Sequence, residues 1–223
     1  MKRKPNSASE GDVWSLDANV SLQAALESPG CPQPVCQALT GVLTWQERNR
    51  REVRRALASP RVAPQWSAAL LALGATITLE GKDGSQEIPL ETFLASRPKG
   101  EITGLHVRTG GLRWGEAHVG RTPADDPIVA AVAAIEMDNG QVGQARVVLT
   151  GAWPEAARLA QAPAQLAGGP LDKERIQAVA SAVEQEVSPE GDFRGSVEYR
   201  RAMAGVLTRR ALEQCLGQEV EHV

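Results

Sequence analysis

Asp138-Asn139-Gly140 lies between two apolar runs, 128–137 and 142–149, and this turn constrains the fold more than any other stretch. Asn and Gly accept the positive φ that tight hairpin loops demand, so the two runs are expected to pair as antiparallel strands. A third run, 112–119, reads as a strand ahead of them. Helical patterns follow: a short one over 155–161, then one capped by Asp172 whose Ile176, Val179, Ala180, Val183 and Val187 fall on one face. Ser196 can cap a last helix, with Tyr199, Met203, Val206, Leu207 and Arg210 sharing a side. Strands grouped before helices predict α+β packing, with a small three-stranded antiparallel sheet covered by helices.

The first half reads differently. Residues 1–12 are polar and resemble a flexible tail. Segments 20–26, 34–43 and 66–73 carry helix-like apolar patterns, and 75–79 alternates as a strand should. Lys82-Asp83-Gly84-Ser85 supplies a turn into Gln86-Glu87-Ile88, and 102–107 is a further strand. Between them lies the densest charge of the chain, Arg48-Asn49-Arg50-Arg51-Glu52-Val53-Arg54-Arg55, with Trp45 just ahead.

Apolar residues make up 42% and charged residues 23% of the chain, ordinary for a packed globular protein. A net charge of −3 argues against a general nucleic-acid binder, and no stacking aromatics beyond Trp45 accompany the arginines. No apolar run approaches the roughly 18 residues of a membrane span. The basic start, Met1-Lys2-Arg3-Lys4, has no apolar stretch behind it, so a cytoplasmic location is expected. Cys31, Cys36 and Cys215, with His106, His118 and His222, show no metal-ligand spacing and read as reduced thiols and ordinary histidines. Asp125-Asp126, flanked by Pro123 and Pro127, reads as a turn rather than a metal site. No nucleophile elbow or phosphate-binding P-loop occurs. The five tryptophans suit either core or interface positions.

Near the C-terminus, Asp192-Phe193-Arg194-Gly195-Ser196-Val197-Glu198-Tyr199-Arg200-Arg201 precedes Leu207-Thr208-Arg209-Arg210-Ala211-Leu212. Upstream lie Val119-Gly120-Arg121, Ile128-Val129-Ala130-Ala131-Val132-Ala133-Ala134, Leu70-Leu71-Ala72-Leu73-Gly74-Ala75 and Ile88-Pro89-Leu90-Glu91-Thr92-Phe93. Together these resemble the medium, flavin-carrying subunit of the molybdenum hydroxylases: the xanthine dehydrogenase, carbon monoxide dehydrogenase and aldehyde oxidoreductase group. The resemblance implies a remnant of a flavin-domain lobe over 13–109 and that family's C-terminal domain over 110–223. It also implies that the chain begins near the middle of the usual flavin domain, without the lobe that carries the first pyrophosphate loop.

The family's second flavin loop is similar to Gln46-Glu47-Arg48-Asn49 onward, but its two glycines fall on Arg54 and Arg55, its asparagine on Ala56 and its threonine on Glu52. Glycine lets backbone N–H groups approach a phosphate without a Cβ clash, whereas two arginine side chains fill that space. Arginine still binds anions and carboxylates through its planar fork. Arg48, Arg50, Arg51, Arg54 and Arg55 are therefore expected to bind a partner, with no cofactor-binding, metal or catalytic residues assigned. Asp192, Arg194, Glu198, Tyr199, Arg200 and Arg201 read as a structural network in which Asp192 and Arg194 position the last helix and Tyr199 packs inward.

What the resemblance implies for function is a non-catalytic structural or assembly subunit of a hydroxylase complex, without FAD. Its partners would be a molybdopterin-binding large subunit and an iron–sulfur small subunit, with no nucleic acid and no membrane. Two alternatives stand beside it: a FAD-binding electron-transfer subunit completed by another chain, and a stand-alone binding module using the Arg48 to Arg55 cluster.

Overall fold

The computed structural model describes residues 13–41, 43–82, 84–122 and 125–218, so the expected tail over 1–12 and His222 lie outside the described residues. The chain divides into two compact units, 1–110 and 111–223.

In the first unit β1 (Val13–Asp17) leads to four short helices, α1 (Leu22–Leu26), α2 (Gln33–Thr40), α3 (Trp45–Arg50) and α4 (Val53–Ala58). A 3₁₀ turn over Pro60–Val62 precedes α5 (Pro64–Ala72), β2 (Thr76–Gly81), β3 (Gly84–Pro89), α6 (Leu90–Ser96) and β4 (Glu101–Arg108). The strands form one antiparallel sheet in the order β1-β4-β2-β3. Alternation buries Trp14, Leu16, Ile77, Leu79, Leu105 and Val107 on one face, while Ser15, Thr76, Thr78 and His106 take the other. α5 is buried along the whole of Trp66–Ala72, with no polar stripe.

β1 and α6 are among the elements of this unit that the sequence does not predict, as are α3 and α4 within the charged segment. β1 is only five residues long and borders the polar N-terminal stretch; its pairing with β4, from Val13↔Arg108 to Asp17↔Gly104, makes it a strand. α6 follows Pro89 directly and buries only Leu90 and Phe93. Its C-cap, Arg97, takes the left-handed conformation at φ 48° and lays its guanidinium 5.7 Å from the centre of the Phe93 ring.

The second unit contains β5 (Leu112–Val119), β6 (Val129–Asp138), β7 (Gln141–Thr150), β8 (Arg158–Leu159), α7 (Lys173–Glu186) and α8 (Val197–Leu216). Asn139 at φ 49° and Gly140 at φ 79° make the predicted hairpin turn between β6 and β7. The sheet, however, has four strands rather than three, in the order β5-β6-β7-β8. The expected helix over 155–161 is absent: the segment bends after Pro154 and enters β8, pairing Leu159 with Val148. What would be the last turn of that helix is instead held by Glu186 of α7, whose carboxylate accepts from the Gln161 and Ala162 N–H groups.

One face of this sheet, through Ala131, Ala133, Ile135, Val147 and Leu149, shares a core with Ile176, Val179 and Val183 of α7 and with Ala204, Leu207 and Ala211 of α8. Asp172 and Ser196 cap the two helices as their sequences predict, accepting from the Arg175 and Tyr199 N–H groups. The buried face of α8 differs from the expected one. It runs through Arg200, Ala204, Leu207, Thr208, Ala211 and Cys215, while Tyr199 is 38% exposed. Small residues set that face, because α8 lies almost in contact with the β5 backbone. A Cβ on Gly115 would stand 2.2 Å from the Ala211 carbonyl oxygen.

Candidate functional site

Thr44 starts α3 with a reciprocal capping box. Its hydroxyl accepts from the Glu47 N–H, and the Glu47 carboxylate accepts from the Thr44 N–H at 3.0 Å. The Thr44 N–H and hydroxyl, with Arg51 behind them, hold the Glu47 carboxyl below the usual carboxylate range. The helix buries none of its residues, and Trp45 at its first position is 63% exposed.

The five arginines take different positions. Arg48 turns inward: its Nε donates to Gln23 Oε1 at 2.7 Å, and Nη1 donates to the carbonyls of Leu39 and Leu43 at the end of α2. Arg51 bridges Glu47 at 2.9 Å and the Val62 carbonyl at 2.5 Å. Arg54 joins Glu52 and Glu101, both at 2.9 Å, and these partners raise its proton affinity, Glu52 most. Arg55 lies 3.6 Å from Glu52, with 75% of its side chain exposed. Arg50 is exposed and makes no ion pair among the described residues. Three of the five thus hold local structure together, and two face outward. The partners Gln23, Val62 and Glu101 lie 25, 11 and 47 residues from their arginines, so no local spacing foretells them.

The backbone of this segment bears on the flavin loop that the sequence resembles. Arg54 and Arg55 stand in the first turn of α4, a right-handed helix, and not in the positive-φ region that glycine opens. Their N–H groups are already used. Val53 donates to the Val20 carbonyl, Arg54 to that of Ala18 at 2.8 Å, and both Arg55 and Ala56 to that of Glu52. A phosphate cradle needs several backbone N–H groups directed at one anion. The segment does not fit such a cradle: its backbone donors bind protein carbonyls, and the Arg54 guanidinium is already paired with Glu52 and Glu101.

In the second unit Asp192 to Arg201 forms a structural network. Asp192 and Gly195 exchange backbone hydrogen bonds of 3.0 and 3.2 Å, and the Asp192 carboxylate accepts from the Arg194 N–H. Arg200, only 4% exposed, reaches across with Nη2 to Asp192 at 2.7 Å, and with Nη1 to the carbonyls of Ile128 at 2.8 Å and Gly151 at 3.2 Å. Its Nε donates to the Gly195 carbonyl at 3.3 Å. Arg200 first, then the Arg194 N–H and guanidinium, hold the Asp192 carboxyl far below its ordinary range. One arginine therefore ties the entry of β6, the exit of β7 and the 192–195 turn to α8. Asp192 and Arg194 contribute as expected, but the organising residue is Arg200, and Phe193 at the turn is 87% exposed.

The remaining candidates stay apart. His106 on β4 is half-buried, with Nδ1 bonded to the Ser15 hydroxyl at 2.9 Å and Nε2 to that of Thr78 at 2.8 Å. His118 is exposed on β5, beside Glu116, whose carboxyl is pushed up by burial. Among the described residues no three acidic, histidine or cysteine side chains gather as metal ligands. Asp125 and Asp126 are exposed, with the Asp125 N–H donating to Thr122. No described helix is long and apolar enough to cross a membrane.

Residues 118–215 match the family model of the CO dehydrogenase flavoprotein C-terminal domain. The chain is 27% identical over 176 residues to the carbon monoxide dehydrogenase medium chain of Hydrogenophaga pseudoflava, covering 75% of this chain and 61% of that one. It is 26% identical to the glyceraldehyde dehydrogenase medium chain of Sulfolobus acidocaldarius, covering 76% and 63%. The chain thus spans less than two thirds of the length of these curated relatives. A solved carbon monoxide dehydrogenase from Hydrogenophaga pseudoflava, lacking the Mo-pyranopterin moiety of its cofactor, superposes with a TM-score of 0.78 at 26% identity, covering 96% of this chain and 78% of that one.

Proposed function

Since the chain is a homologue of the FAD-binding medium chains of molybdenum hydroxylases, sharing their C-terminal domain, we propose that it serves as a flavin-free structural or assembly subunit of such a complex. The observation that carries this reading is the first turn of α4. There the backbone donors are bound to the carbonyls of Val20, Ala18 and Glu52, at the positions where the resemblance sets the two loop glycines against Arg54 and Arg55. With that cradle filled, what remains of the family role is packing. The second unit supplies a rigid body locked by Arg200, and the first unit supplies an exposed helix, α3, carrying Trp45, with Arg50 nearby and Arg55 on α4. The partners in this reading are a molybdopterin-binding large subunit and an iron–sulfur small subunit.

The experiment is co-expression of the full chain with candidate large and small subunits, followed by purification on a tag carried by this chain. Co-purification of both, with no visible flavin absorption before or after incubation with FAD, is the expected result. A stoichiometric flavin spectrum overturns the flavin-free reading, and absence of both partners overturns the assembly reading.

A further inference from the structure

Outside the arginine segment, the first unit holds a feature that the assembly role does not use. Cys31 lies just before Pro32, the N-cap of α2, and Cys36 lies in the first turn of the helix. The Cys36 thiol donates to the Cys31 carbonyl at 3.5 Å, and the Cys31 thiol to the Pro32 carbonyl at 3.9 Å, so both sulfurs lie against the same short stretch of backbone. Both cysteines are half-buried and free. Pro32 and Pro34 fix the chain between them, and the Cys36 N–H is tied to the Pro32 carbonyl at 3.0 Å.

We propose that Cys31 and Cys36 form a reversible dithiol–disulfide couple, a two-electron redox site at the start of α2. A disulfide bond is about 2.05 Å long, and with the Cys36 sulfur already 3.5 Å from the Cys31 carbonyl the two thiols approach it largely by side-chain rotation. Rigid flanking residues favour ring closure because the chain has little freedom left to lose. Cys215 offers a contrast within the same molecule. It is fully buried, its thiol donates to the Ala211 carbonyl, and burial pushes it up to about 12.

The oxidant is a low-molecular-weight disulfide such as oxidised glutathione. Cys36, as thiolate, attacks one glutathione sulfur; a protein–glutathione disulfide forms, the glutathione S–S bond breaks, and one glutathione thiolate leaves to take up a proton. Burial and its neighbour hold the proton on Cys31, so this thiol acts second. It loses its proton, attacks the Cys36 sulfur and displaces the second glutathione thiolate. Two cysteine thiols are oxidised to one disulfide, and one glutathione disulfide is reduced to two glutathione thiols.

The test is incubation of the full chain with oxidised glutathione, alkylation of the remaining thiols, and mass analysis of the intact chain and its peptides. The expected product has lost two hydrogens, carries a peptide cross-linked from Cys31 to Cys36, retains Cys215 as a thiol, and returns to the starting mass with excess reduced glutathione. Cys31→Ser should halt at a stable glutathione adduct on Cys36. Three unmodified thiols in the wild-type chain, a persistent adduct in place of the cross-link, or disulfides only between chains would each overturn the proposal.

Discussion

Truncating Arg200 should damage the second unit severely. Arg200 is 4% exposed, and its guanidinium donates to the carbonyls of Ile128, Gly151 and Gly195 as well as to Asp192. Hydrogen bonds from a charged donor contribute roughly 1.5–3 kcal/mol each. Asp192 keeps 36% of its side chain in solvent and rehydrates when the arginine is lost, so the cost falls on the three carbonyls. Water entering the vacated space recovers part of it, which leaves about 3–5 kcal/mol for Arg200→Ala. For a unit of this size that is a fall in Tm on the order of 10–20 °C. Urea unfolding followed by circular dichroism measures it, with Arg200→Lys as companion. Lysine keeps the charge but not the planar fork, so it should restore less than half of the loss. The same network sets the acid limb. The folded state depresses the Asp192 pKa, so its contribution is fully present above the unfolded-chain value of about 3.9 and is lost as pH falls toward the folded value. Asp192→Asn should therefore flatten the decline in stability below about pH 4. An Arg200→Ala chain within about 1 kcal/mol of wild type would refute the reasoning, because solvent would then satisfy those carbonyls equally well.

Three further outcomes are expected. Val183 is fully buried in the α7 core, so Val183→Asp should cost about 3 kcal/mol or more in urea unfolding, and an unchanged midpoint would place α7 off the core. Gly115→Ala puts a Cβ 2.2 Å from the Ala211 carbonyl and 2.8 Å from Gln214 Cβ, forcing α8 off the sheet at a cost of about 1–3 kcal/mol by thermal melt. The Gln214 and Gln218 amides each pair with both backbone groups of one β5 residue, Glu116 and Trp114 respectively. Replacing both by alanine should cost about 1 kcal/mol per bidentate pair and open the strand edge, so light scattering should detect self-association absent from the wild type.

How much of this was legible depends on how local the determining forces are. The β6–β7 hairpin was readable because Asn139 and Gly140 meet a backbone requirement within the turn itself. The caps at Asp172 and Ser196 were readable for the same reason, since each bonds an N–H three residues on. The α8 stripe was misjudged because counting large apolar residues overlooks two tertiary effects. An arginine can belong to a buried face when carbonyls from distant segments converge on it, and glycine and alanine govern a face wherever backbones approach closely. β8 failed similarly: Arg158 and Leu159 become a strand only because Val148 and Leu149 offer an edge to pair with.

The arginine segment shows local and tertiary effects acting together. Arginine, unlike the glycines the resemblance sets against these positions, disfavours positive φ and has good helix propensity, and the backbone settles into the first turn of α4. Once helical, its leading N–H groups need acceptors, and Ala18 and Val20 supply them from the chain before α1. The charge that arrives with Arg54 is then balanced within the unit by Glu52 and Glu101. An anion at that spot would have to displace both carboxylates and the carbonyls that hold the backbone. A protein partner faces less competition at Arg50, which is exposed, and at Arg55, whose one contact to Glu52 is 3.6 Å long and whose side chain is 75% exposed. If the segment docks a partner, its affinity and salt dependence should reside in Arg50 and Arg55, whereas changes at Arg48, Arg51 or Arg54 should register first as lost stability.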